Sequence, residues 1–372
     1  MFRPVTLPRV RCDGLIMTMR SLILHIGMNK TGSSALQTAL AQSRSGSDWT
    51  FIAPVIPNAS NVVHLAFHPK APSEPRRKQG DVQTPGQAIA ALEGAFAAVD
   101  APRGVMSGEG MFNLGEASIP GLVNLARAHA EDIGAVAYIR PPVSFLVSNY
   151  QQRMKQRHVP LGKLQRPAHL RFDRSAGAWE DILGAENVAL RPYDRGYLSE
   201  GSVIADFAEL CGLGELRALP QEKNPRLSGE AMRLLVQYRR RVPRHRPGDG
   251  RIIGELSGLS GPSFALAASL LGPAREAARQ MRGWALDRMD WDMAEPPGDP
   301  DARPVASEAD FDDILPRTTE WLAARTGRAA STLRGDMEAT AEAVAALAHI
   351  ARGNSADAVP LWLRALGRLR PA

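Results

Sequence analysis

Residues 22–40 read LILHIGMNKTGSSALQTAL, and this order of residue types narrows the fold more than any other stretch. Leu22, Ile23, Leu24 and Ile26 form a short apolar run suited to a buried strand. Gly27 ends it, and Met28-Asn29-Lys30-Thr31-Gly32 makes a tight turn. Beyond Ser33 and Ser34, the residues Ala35, Leu36, Ala39 and Leu40 recur at helical spacing. Strand, glycine-bearing turn and helix start are the parts of a phosphate cradle, because unbonded N–H groups at a helix start point at an anion. Lys30 adds a point charge, and Thr31, Ser33 and Ser34 supply hydroxyls. The loop of nucleotide triphosphatases has another order, with lysine directly after the second glycine. Here Lys30 comes two residues before Gly32.

Downstream, Trp49, Phe51, Ile52 and Val55 suit a second strand, and residues 41–86 otherwise read as loop. His64 and His68 have the four-residue spacing of a metal pair, but Pro69 follows and no third ligand is evident. A loop on the acceptor side is the expectation there. Residues 87–99 carry Ile89, Leu92, Phe96 and Val99 at helical spacing. Val105 and Met106 make a short buried strand that ends at Ser107-Gly108-Glu109-Gly110. Glu109 therefore follows a strand end, where α/β folds place their ligands. A helix over 118–132 leaves His129 on its surface, and Ala135-Val136-Ala137-Tyr138-Ile139 is the fourth strand. Arg140, Pro141 and Pro142 lead into a helix that runs to Met154 and carries Ser148. Arginine can hold a phosphate through two parallel hydrogen bonds, and a helical serine can add another.

The sequence Lys30-Thr31-Gly32-Ser33-Ser34 resembles the 5′-phosphosulfate loop of sulfotransferases. YIRPPVSFLVSNYQQ resembles their 3′-phosphate motif, an arginine after an apolar strand with a serine eight residues on. The two stand in the family's order. Pro141 replaces the family's usual asparagine, which alters the turn and spares Arg140 and Ser148. The likeness continues through RFDRSAGAWEDILGAENVALRPYD, with Trp179, Ile182 and Leu183 as core anchors and Val188, Ala189 and Leu190 as a fifth strand. It fades after EKNPRLSGEAMRLLVQY, where Ser228 is placed to cap a helix.

The resemblance implies a three-layer α/β sandwich, P-loop NTPase-like, with a mostly parallel central sheet over residues 21–250 and a helical extension over 251–372. It implies transfer of a sulfuryl group from 3′-phosphoadenosine 5′-phosphosulfate (PAPS) to a hydroxyl or amine, leaving adenosine 3′,5′-bisphosphate. The acceptor class stays open among small molecules, lipids and carbohydrates. In this reading Lys30, Thr31, Gly32, Ser33 and Ser34 hold the 5′ end of the donor, and Arg140 and Ser148 hold its 3′ phosphate. Lys30 also neutralises charge on the moving group, and Glu109 takes the acceptor proton. No metal is required. One alternative is a P-loop kinase or hydrolase, which lacks here both its lysine position and a clear Mg²⁺-binding pair. Another is a non-catalytic binding protein on the same scaffold.

Composition bounds the remaining classes. Hydrophobic residues at 44% and charged residues at 23% are those of a soluble globular chain. A net charge of +6 favours anionic ligands. Nucleic acid is not the expected partner, since the sequence has no zinc spacing, recognition-helix signature or long basic block. Residues 151–175 are basic, with Arg153, Lys155, Arg157, His158 and Lys163 among them, and suit either a solvated face or the steering of an anion. RRVPRHRPG, starting at Arg239, is a candidate for a loop closing over the donor. Cys12 and Cys211 are too few for a disulfide framework, so a reducing, cytoplasmic setting is expected. No run of about eighteen apolar residues predicts a membrane span. Residues 359–369 are amphipathic and suit packing on the core, with peripheral membrane contact as the alternative.

Overall fold

Five apolar segments pair side by side in one sheet of order β2-β3-β1-β4-β5, and every pairing is parallel. The strands are β1 (Met19–His25), β2 (Trp49–Ile52), β3 (Arg103–Ser107), β4 (Ala130–Ile139) and β5 (Val188–Pro192). The structure is a computed structural model that describes residues 19–43, 48–68, 82–164, 170–214, 216 and 226–350. Cys12, the basic residues at 76–78 and the amphipathic stretch 359–369 lie outside the described residues.

Parallel strands need crossovers, and helices supply them. α1 (Ser33–Gln42) joins β1 to β2, and α2 (Ser60–Phe67) and α3 (Pro85–Ala97) join β2 to β3. α4 (Ile119–Arg127) joins β3 to β4, while α5 (Pro142–Gln156) and α6 (Phe172–Leu183) lie between β4 and β5. α7 (Val203–Cys211) follows β5. Side chains alternate across the strands, so each face buries its own set. On one face Ile23, Val105, Val136 and Tyr138 pack with Leu36 and Leu40 of α1 and Val203, Ile204 and Phe207 of α7. α4 and α6 pack on β4 from their own side, with Leu122, Val123 and Trp179 fully buried. The fold is a parallel α/β sheet with flanking helices, as expected, followed by a helical C-terminal region.

That region comprises α8 (Gly229–Arg241), α9 (Asp249–Ser257), α10 (Gly272–Met289), α11 (Pro316–Thr326), the short α12 (Ala330–Leu333) and α13 (Met337–Ile350). Contacts divide the chain into two compact units that alternate along the sequence. The first is Met1–Pro141, Arg171–Glu222 and Ala278–Ala294, and it holds the sheet. The second is Pro142–Leu170, Lys223–Ala277 and Glu295–Ala372. No helix among the described residues is long and apolar enough to cross a membrane.

Several boundaries differ from expectation for physical reasons. β4 starts at Ala130, because Met19 and Ser21 extend β1 and pair with Ala130 and Asp132. α4 accordingly ends at Arg127 and not near residue 132. α2 forms inside a stretch read as loop, where Val62, Val63 and Leu65 give it a buried face. Within the stretch expected to be a helical extension, residues Ala268–Leu270 form only a single tight turn, preceded by a bridge from Leu266 to Val305. Ser228 caps α8 as expected, its hydroxyl accepting from the Ala231 amide at 3.2 Å. The arginines at its far end are not a loop. Arg239 is fully buried, donates to the Met154 carbonyl at 2.9 Å and pairs with Asp249 at 2.7 Å. Arg240 pairs with Glu308 and Asp312, and Arg241 with Glu338. All three arginines find their partners within the second unit.

In the first unit a buried carboxylate ties α7 to two strands. Asp206 accepts from the Tyr138 hydroxyl at 2.9 Å, from Arg191 Nε at 3.1 Å and from the Ser199 amide at 3.1 Å. It is 2% exposed, and Arg191 Nη2 completes the ion pair. Removing the carboxylate leaves the buried Tyr138 hydroxyl without this acceptor and takes the ion-pair partner from Arg191, whose side chain is 20% exposed. Asp206→Ala should therefore cost about 3–5 kcal/mol in urea unfolding. A loss under about 1 kcal/mol would show that Arg191 and Tyr138 find other partners.

Candidate active site

The order of the strands locates a crevice before any side chain is considered. The chain leaves β1 toward β2 on one side and leaves β4 toward β5 on the other. Neighbouring strands whose connections diverge form the switch point where open α/β sheets bind ligands. Residues 26–32 follow β1 there, and Arg140 follows β4.

The turn after β1 has the tightness its glycines predict. Gly32 has φ 80° and precedes α1, and a Cβ added to it would lie 2.8 Å from Val203 Cγ1. A Cβ on Gly27 would lie 2.5 Å from Ser33 Oγ and 2.9 Å from His25 Cε1. Lys30 has φ 69°, a left-handed backbone uncommon outside glycine and the kind of strain that clusters at functional sites. The Thr31 hydroxyl donates to the Met28 carbonyl at 2.7 Å, and the Ser33 hydroxyl to the same oxygen at 3.3 Å. Both are buried, so their hydroxyl protons brace the turn, while Ser34 is exposed. No side chain caps α1, and no acidic residue lies in its first turn. The positive end of the helix dipole is thus open to an anion.

Arg140 is brought to this turn. Its Nη1 donates to the Lys30 carbonyl at 3.0 Å, and its guanidinium lies 5.8 Å from the centre of the Tyr193 ring. The Tyr193 amide donates to the Ile139 carbonyl at 2.7 Å, which sets its ring beside Arg140 and Gly32. Tyr193 was not among the residues expected at the site. Its signal in the sequence is an aromatic residue directly after the fifth strand. Ser148 is half-buried on α5 and belongs to the second unit, whereas the turn and Arg140 belong to the first.

Glu109 also reaches the turn. Its Cα lies 3.3 Å from where a Gly27 Cβ would be. The residue is half-buried, and its amide donates to Asn58 Oδ1 at 3.3 Å. The next amide, Gly110, donates to Ser60 Oγ at 2.7 Å, and His64 Nε2 lies 3.2 Å from the Gly110 carbonyl. The start of α2 therefore wraps the Glu109 turn. The rings of His64 and His68 lie 5.7 Å apart, and no group of three metal-ligating residues occurs among the described residues. His129 lies elsewhere, its carbonyl accepting from Met19 at the opposite end of β1.

Beneath the turn lies a group that sequence reasoning passed over. His25 is fully buried, with Nδ1 2.7 Å from Ser107 Oγ, and Gln37 Nε2 donates to the same hydroxyl at 3.2 Å. Burial holds the His25 imidazole down to about 3, so the ring is neutral across the physiological range. The signal was its place inside the apolar run of β1, at a strand end facing α1.

Neither a protein-family model nor any curated protein matches this chain.

Proposed function

We propose that the chain is a PAPS-dependent sulfotransferase. The observation that carries this reading is the 3.0 Å contact between Arg140 and the Lys30 carbonyl. Two motifs 110 residues apart in sequence meet at the switch point between β1 and β4. The sheet and its helices then form a P-loop-like sandwich with the anion loop between β1 and α1.

The residues fit a ligand with two separate anionic groups. The uncapped start of α1 and Lys30 suit one, and the buried guanidinium of Arg140 suits the other. PAPS supplies an activated sulfuryl group with adenosine 3′,5′-bisphosphate as the leaving group. Lys30 neutralises the charge that grows on the bridging oxygen as the S–O bond breaks. Glu109 accepts the proton of the acceptor hydroxyl as that oxygen bonds to sulfur. Tyr193 orients Arg140 through its ring face.

Calorimetry tests the donor. Adenosine 3′,5′-bisphosphate should bind well ahead of ADP, because only it carries the 3′ phosphate. Arg140→Ala should weaken both, since Arg140 also braces the turn, but the bisphosphate by about tenfold or more beyond ADP. Equal affinity for the two nucleotides in the wild type would sink the 3′ site and favour an ordinary nucleotide enzyme.

The base has its own test. Glu109→Gln keeps size and hydrogen-bonding reach and should bind bisphosphate normally while losing roughly 10²–10⁴ in turnover. His129→Ala, at the far end of the sheet, should leave turnover unchanged. Full activity in Glu109→Gln would move the base to its neighbour His64.

A further inference from the structure

We infer that the second unit carries a binding surface for an acidic polysaccharide, built from Arg153, Arg157 and Arg244 with Lys163 beside them. Arg153 and Arg157 are one turn apart on and just past α5, the Arg157 amide donating to the Arg153 carbonyl at 2.8 Å. That spacing sets their Cβ atoms roughly 6 Å apart. Arg157 and Arg244 pair as an antiparallel β-bridge, which sets both side chains on one face about 5 Å apart. Arg153 Nη1 reaches the Lys163 carbonyl at 3.5 Å and draws that turn into the group. Arg157, Lys163 and Arg244 are exposed.

Like charges placed opposite one another across a strand pair destabilise it. None of these four cations forms an ion pair with a described residue, although arginines nearby in the same unit do. Burial and the Arg157 charge both lower the proton affinity of the Arg153 guanidinium. The arrangement is relieved by an anion that spans several guanidinium groups at once. The Cβ spacings of roughly 5–6 Å are comparable with the repeat of a pyranose chain bearing carboxylates or sulfates.

Two other polyanions fit less well. A membrane surface calls for apolar side chains to insert, and the large exposed hydrophobic residues, Tyr197 and Leu286, both belong to the first unit. Single-stranded nucleic acid calls for exposed aromatic rings for stacking, and the patch has none among the described residues. The polysaccharide surface does not depend on the sulfotransferase reading, since its readout is binding and not turnover.

The experiment uses the full chain with dextran sulfate, polygalacturonate, phosphatidylserine vesicles and a single-stranded oligonucleotide as probes. Arg153→Gln, Arg157→Gln and Arg244→Gln are combined in one variant. A charge-matched control combines Arg251→Gln, Arg275→Gln and Arg317→Gln, all exposed in the same unit. The expected result is about tenfold or greater loss of both polysaccharides in the first variant, little change in the control, and a steep salt dependence in the wild type. Equal losses in both variants would mean that net charge alone drives binding and would overturn the inference. So would tighter binding of the vesicles or the oligonucleotide. If the first variant unfolds, the salt dependence of the wild type decides, and a flat response refutes the surface.

Discussion

Lys30→Ala is expected to cut turnover by roughly 10²–10³ at saturating donor while leaving the fold intact. The reason lies in what the substitution removes. Arg140 braces the turn through the Lys30 carbonyl, a backbone atom that alanine retains. Thr31 and Ser33 brace it through the Met28 carbonyl, earlier in the turn. What is lost is the side chain beyond Cβ, with its ammonium. Under the proposed reaction, negative charge accumulates on the bridging oxygen only as the S–O bond breaks. An interaction that strengthens at that point lowers turnover when it is deleted, whereas uniform binding would raise KM and leave turnover alone. Lys30→Gly separates side chain from backbone. Glycine adopts φ 69° without strain, so this variant should be at least as stable as Lys30→Ala and equally slow. A change confined to KM in both variants would make Lys30 a ground-state contact and remove it from the mechanism.

The sheet was legible because parallel strands buried on both faces leave near-continuous apolar runs, as at Leu22-Ile23-Leu24 and at 135–139. The ends of the strands were less so. Glu131 and Asp132 look like helix or loop residues, and only the pairing of Met19–His25 with β4 makes them strand. The turn at 27–32 was legible for a different reason: its geometry is imposed by glycines, and glycine needs no partner to announce it. Arg140 could be found by its place after an apolar strand. Its contact with Lys30 could not, because it depends on the strand order β1-β4, which no local pattern encodes. Tyr193 and Asn58 were missed on the same ground, Tyr193 reaching Gly32 and Asn58 reaching the Glu109 turn, each from a distant connection. The arginines at 239–241 were misread because a run of like charges resembles a loop. Only the structure supplies Asp249, Glu308, Asp312 and Glu338 as their partners.

His25 carries the second large effect, and it appears as acid sensitivity. The ring is fully buried between the sheet and α1, edge-on to Phe207 at 5.6 Å and tilted against Tyr138 at 6.2 Å. Its Nδ1 meets Ser107, while Nε2 has no hydrogen-bond partner among the described residues, so a second proton would leave a charged imidazolium in an apolar site. Burial accordingly holds the folded group down to about 3, against an ordinary value of 6.5. The sign follows from proton counts. Above pH 6.5 neither state binds the proton and His25 contributes no pH dependence. As pH falls below 6.5 the unfolded chain takes up a proton that the folded chain refuses, and stability declines by about 1.4 kcal/mol per pH unit until the folded group titrates. From about pH 6.5 down to about pH 4.5 this amounts to roughly 2–3 kcal/mol. Carboxylates add their own pH dependence, so the measurement is a difference. Urea unfolding of the wild type and of His25→Gln, which cannot titrate, is compared across that range. The wild type should lose roughly 2–3 kcal/mol more than the variant as the pH falls. His158, whose imidazole is also lowered by burial, contributes equally to both and cancels. Parallel stability curves would mean that the folded site protonates as readily as the unfolded chain, and that something other than a neutral imidazole supports the Gly27 turn from beneath.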